Sequence, residues 1–164
     1  MLNERQRQYV FLCVILTIFV CVCYSVWEGS QQQRNFREDY EQYYQAFLFI
    51  KQSNGTEALK LLEPIAERYP DRYNIVRFVG LAYALTGDFQ KASLYYEKAI
   101  TLRPFLQEDP VFTLQYGEIS YFNGEYQKAQ VYLEKCRNTP GSEEFHIRID
   151  ELLNAINQQK TEEY

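Results

Sequence analysis

"LAYALTGDFQKASLYYEKAITLRP" runs from Leu81 to Pro104, and much of it returns as "ISYFNGEYQKAQVYLEKC", from Ile119 to Cys136. Aligned on their turns, Gly87 and Gly124 fall 37 residues apart, and the pairs Gly80/Gly117 and Ala92/Ala129 share that offset. Upstream, Ala58 precedes Ala92 by 34 residues, as Pro70 precedes Pro104. The period is therefore 34, with three extra residues in "RPFLQEDP" before the last copy. Self-similarity at this spacing marks stacked helical hairpins, which build a surface more readily than a catalytic centre.

The residue types fit such hairpins. Gly80 and Ala82 are small where two helices approach closely, and Ala92 and Ala99 answer from the second helix. Gly87 suits a left-handed helix end and Asp88 suits the cap of the next helix. Phe89, Tyr96 and Ile100 give that helix an apolar stripe, and Pro104 stops it. Gly80 is expected to tolerate a larger side chain far less well than Gly55, which the pattern places in a roomy turn.

On these residues the chain resembles the tetratricopeptide repeat family, whose signature is W-x2-L-G-x2-Y, A-x3-F, P. The middle copy supplies Val76, Val79, Gly80, Tyr83, Ala92, Tyr96, Ala99 and Pro104. The third departs at Thr113 and Ser120; the first has Gln42, Gln45 and Ala46, then Phe49, Ala58, Leu62 and Ile65. The resemblance covers about residues 39–143, with repeats near 39–72, 73–106 and 110–143. Residues 143–164 read as a capping helix and tail, with Ser142 as its cap and Phe145, Ile149, Leu152, Leu153 and Ile156 on one face.

Ahead of the repeats, Tyr9 to Trp27 contains no charge, and eleven of its residues are Val, Ile, Leu or Phe. As a helix it rises about 28 Å, close to the hydrocarbon thickness of a bilayer. Those eleven contribute on the order of −3 to −6 kcal/mol to insertion. Residues 1–8 read as a short tail, 9–27 as a transmembrane helix and 28–38 as a linker or helix extension. A cleaved signal peptide is the rival, and would make a secreted protein, but no A-x-A pattern is present. Arg5 and Arg7 ahead of the span favour a cytoplasmic N-terminus, with the repeats on the outer side.

The expected fold is thus all-α: a transmembrane helix, a three-repeat solenoid and a C-terminal capping helix. The net charge of −5 argues against nucleic-acid binding. Cys136 stands alone outside the apolar run, His146 is the only histidine, and no ligand spacing implies a metal or cofactor. No nucleophile elbow or phosphate loop appears, so no enzyme is expected. The resemblance implies a protein or peptide partner held in a concave groove lined by the first helices. In register, that groove offers Tyr40, Tyr43, Phe47 and Lys51, then Asn74, Arg77 and Leu81, then Glu118 and Tyr121. Family members that dock chaperones grip a terminal carboxylate with a Lys/Asn/Arg cluster; Tyr43 and Phe47 stand at two of those places. The aromatic stripe has two readings, a binding groove or internal packing, and a homo-oligomeric spacer is the alternative function.

Overall fold

The computed structural model describes residues 4–162. Among them the chain is helical, with no strand: α1 (Glu4–Lys51), α2 (Gly55–Arg68), α3 (Tyr73–Leu85), α4 (Phe89–Leu102), α5 (Pro110–Phe122), α6 (Tyr126–Arg137) and α7 (His146–Glu162). Short 3₁₀ turns occupy Pro104–Glu108 and Glu143–Phe145. Two compact units divide the chain, residues 1–41 and 42–164.

In the first unit, α1 carries a stretch long and apolar enough to cross a membrane by length and composition, with none of it buried. Two of its hydroxyls are satisfied within the helix. Thr17 Oγ1 donates to the Cys13 carbonyl (2.8 Å) and Ser25 Oγ to that of Cys21 (2.9 Å), which lowers the cost of placing them in hydrocarbon. Helix continues through residues 28–38, where Gly29 is the weakest helix former.

The second unit is a stack of hairpins. Its core runs as three clusters: Ala46, Ala58, Leu62, Val79 and Ala82 join α1, α2 and α3. Val76, Tyr96 and Ala99 meet Phe112, Tyr116 and Ile119 across α3, α4 and α5. Leu133 and Cys136 meet Ile149, Leu152 and Ile156 of α7. The first two clusters bridge successive hairpins and the third joins the last hairpin to α7, so no hairpin buries its apolar face alone. Close approach recurs at the repeat offset. A Cβ on Gly80 would lie 2.8 Å from the Tyr96 ring, and one on Gly117 2.8 Å from the Leu133 side chain.

The turns repeat as well. Gly87 (φ +83°) and Gly124 (φ +78°) end α3 and α5 in the left-handed region. The amide after each reaches back to close the helix, Asp88 to the Tyr83 carbonyl (3.0 Å) and Glu125 to that of Ser120 (2.8 Å). The first copy makes the same turn with Ser53 (φ 58°), and Asn54 N–H closes on the Phe49 carbonyl at 2.9 Å. A side chain in this region costs about 1–2 kcal/mol. Ser53→Gly is therefore expected to raise stability by up to about 1 kcal/mol after the entropy of the freer unfolded chain is counted, read as a higher urea midpoint at unchanged slope. Asn54, Asp88 and Asp109 cap α2, α4 and α5 through their side chains, and Pro110 follows at the first turn of α5.

Two expectations need correction. Gly55 is buried, and a Cβ there would lie 2.6 Å from the Ala82 carbonyl oxygen and 2.8 Å from Leu85 Cβ. The start of α2 presses on the end of α3, so the turn has no room. Ser142 does not cap through its side chain; Oγ instead donates back to the Arg137 carbonyl at 3.2 Å and lies 3.3 Å from His146 Nε2.

Candidate protein-binding face

The last turns of α1 in the second unit and the whole of α3 bring four of the expected residues together around Phe78. The Tyr43 and Phe47 rings lie 5.5 and 5.6 Å from that of Phe78. Asn74 Nδ2 donates to the Tyr43 hydroxyl at 3.3 Å, and Lys51 Nζ sits 4.8 Å over the Phe47 ring. Tyr43, Phe47 and Phe78 are half-buried, so the stripe both packs the first hairpin and presents aromatic surface. Leu81 is half-buried, and Leu85 and Phe122 are exposed at 38% and 51%. Tyr40 lies in the first unit and is exposed.

The remaining expected residues are committed to neighbours. Arg77, read from sequence as an available cation, has a side chain only 18% exposed. It donates to Gln115 Oε1 (2.9 Å) and, at 3.4 Å, to Asp109, and lies over the Phe112 ring at 5.4 Å. Gln115 Oε1 also accepts from the buried Tyr96 hydroxyl at 2.9 Å. Removing the guanidinium strips partners from part-buried polar groups. Arg77→Ala is thus expected to cost about 1–3 kcal/mol of stability, visible as an earlier thermal transition. A surface residue would give almost none. Glu118 accepts from Arg148 Nε at 2.7 Å, and the Tyr121 ring packs on Phe122 and Tyr126.

Phe78, Asp109, Gln115 and Arg148 escaped the sequence reading. Phe78 and Gln115 share a register place with Tyr44, one residue beyond the row assigned to the groove. An aromatic residue there, beside an expected groove row, was the signal for Phe78. Asp109 and Arg148 belong to a helix cap and to α7, outside the repeat pattern.

Several side chains between the repeats have displaced ionisation. Burial raises the Tyr96 phenol and pushes Tyr116 up to about 12. The Tyr83 phenol is raised by its hydrogen bond to Glu63 and by burial. Burial raises the Cys136 thiol, whose Sγ donates to the Pro110 carbonyl. Lys128 is pulled down by burial but raised on balance by its bonds to Glu97 and Glu125, and the Lys128 bond holds Glu97 below the usual carboxylate range. These displacements carry each group away from neutral pH, the reverse of what a general base or nucleophile needs. Among the described residues no cluster of His, Cys, Asp and Glu is placed to hold a metal ion.

A family model described as tetratricopeptide repeat matches residues 78–105. Surface lipoprotein assembly modifier 2 of Haemophilus influenzae is 28% identical over 109 residues, covering 64% of this chain and 22% of the relative. The chain thus spans about a fifth of the length of the curated relatives it matches. The type III secretion translocator chaperone SycD of Yersinia enterocolitica superposes with a TM-score of 0.62 at 19% identity, over 74% of this chain and 85% of that one. The same chaperone in complex with a peptide of the translocator YopD gives 0.60 at 19% identity, over 74% and 93%. Residues 78–105 are thus similar to a tetratricopeptide repeat, within an all-α solenoid that shares the fold of these chaperones.

Proposed function

We propose that this chain is a membrane-anchored adaptor: residues 9–27 hold it in a bilayer, and the first-helix face of its repeats binds a segment of a protein partner during assembly or recruitment of a membrane complex. The observation that carries the reading is that the first helices gather half-buried aromatics around Phe78 and also carry the exposed Leu85 and Phe122. Aromatic side chains are among those that most often dominate interface energy. The relatives are named for surface lipoprotein assembly, and one structural neighbour was solved with a translocator peptide. Both support an assembly or chaperoning role. In this reading the N-terminus faces the cytoplasm and the repeats face outward.

The anchor is tested by intact mass of the protein recovered from carbonate-washed membranes. A mass that includes residues 9–27 is expected. A species beginning near Val26, or release by the wash, would replace the anchor with a secreted or peripheral protein. The binding half is tested in the Discussion.

A further inference from the structure

Three charged side chains fall in the expected row of the face, and two are neutralised from within. Arg77 is held by Gln115 and Asp109, and Glu118 by Arg148. Lys51 differs: its ammonium lies over the Phe47 ring and, among the described residues, makes no ion pair. It occupies the same register place as Leu85 and Phe122, 34 and 71 residues later, at the ends of consecutive first helices. By register this row carries one cation, Lys51 in the last turn of α1, followed by two exposed apolar side chains.

We propose that the occupant is an extended apolar segment of a protein partner bearing one side-chain carboxylate, which docks on Lys51 while apolar side chains of the segment cover Leu85 and Phe122. This rests on the adaptor reading above. Charge complementarity argues for it: an acid on the segment meets the free ammonium, whereas a second cation gains nothing, because the acids of the face are already paired. A side-chain carboxylate is the source, since Lys51 is a single point charge over the Phe47 ring. Gripping a chain terminus takes several convergent donors. The apolar contacts supply affinity and the carboxylate fixes the register of the segment, as rim charges do.

The test uses the full chain in lipid nanodiscs, with empty nanodiscs subtracted for lipid partition. Three labelled short peptides alternate Ser with Leu and Phe: an amidated one with a single Glu, its Gln counterpart, and the Gln peptide with a free terminal acid. The Glu peptide is expected to bind about threefold tighter than the Gln peptide at low salt, the size of an exposed ion pair. The preference shrinks at high salt, disappears in Lys51→Gln and returns in Lys51→Arg. Equal affinity for the Glu and Gln peptides, a preference that survives Lys51→Gln, or a preference for the free terminal acid overturns the proposal and leaves the adaptor reading standing. Failure of all three peptides to bind overturns both.

Discussion

Replacing Gly55 with leucine is expected to destabilise the protein by about 3 kcal/mol or more, at the upper end of overpacking effects. The first atom a Cβ meets is the Ala82 carbonyl oxygen at 2.6 Å, then Leu85 Cβ at 2.8 Å and Thr86 Cγ2 at 3.0 Å. A backbone carbonyl inside α3 has no rotamer by which to retreat. Either α2 shifts from α3, opening the cluster of Ala58, Leu62, Val79 and Ala82, or the turn at Ser53 deforms. Gly80→Leu should also be severe, because its neighbours are Tyr95 and the fully buried Tyr96. Gly29, with nothing within 4 Å, is the control. Urea unfolding of the three leucine variants in detergent checks this. Loss at Gly80 with none at Gly55 would restore the roomy turn that the repeat pattern implies.

The second large effect concerns binding. Leu85→Asp combined with Phe122→Asp is expected to weaken partner capture at least tenfold, because about 1.4 kcal/mol is one decade and a single hot spot is worth about 2 kcal/mol. Both side chains are exposed, so the fold should survive, although Leu85 borders the start of α2 and Phe122 loses its stacking on Phe89 at 5.1 Å. The variant pair is preferable to Tyr43 and Arg77, whose rings and hydrogen bonds knit the repeats together. Affinity by titration and melting temperature are read on the same preparations. Unchanged affinity with an unchanged melt would move the binding surface elsewhere.

The stacked-hairpin fold was legible because its signals are local and periodic. Gly80 and Gly117 face the same position of their partner helices, and Gly87 and Gly124 make the same turn. The equivalent turn at Ser53 was hidden, since serine gives no sign of a positive φ that only the tertiary stack enforces. Gly55 misled for a related reason. Its register mates are Phe89 and Tyr126, so nothing in the period shows that the first hairpin packs more closely than the others. The candidate face was half legible. Tyr43 and Phe47 follow from helical spacing and Asn74 from the register that the family resemblance implies, and the structure gathers them around Phe78. Arg77 looked available because its partners come from afar: Asp109 from the cap of α5, and Gln115 from a neighbouring row. A pattern on one helix does not reveal which charges another helix will neutralise.

Site-specific photo-crosslinking in native membranes bears most directly on the adaptor. A photoreactive residue at Leu81 or Phe122 reports on the first-helix face. One at Leu94 or Val131, exposed on α4 and α6, reports on the second helices. The adaptor predicts a discrete covalent adduct from Leu81 and Phe122, lost when Leu85→Asp is added, and none from Leu94 or Val131. Adducts from the second-helix positions alone, or from the first-helix positions but indifferent to Leu85→Asp, would contradict it.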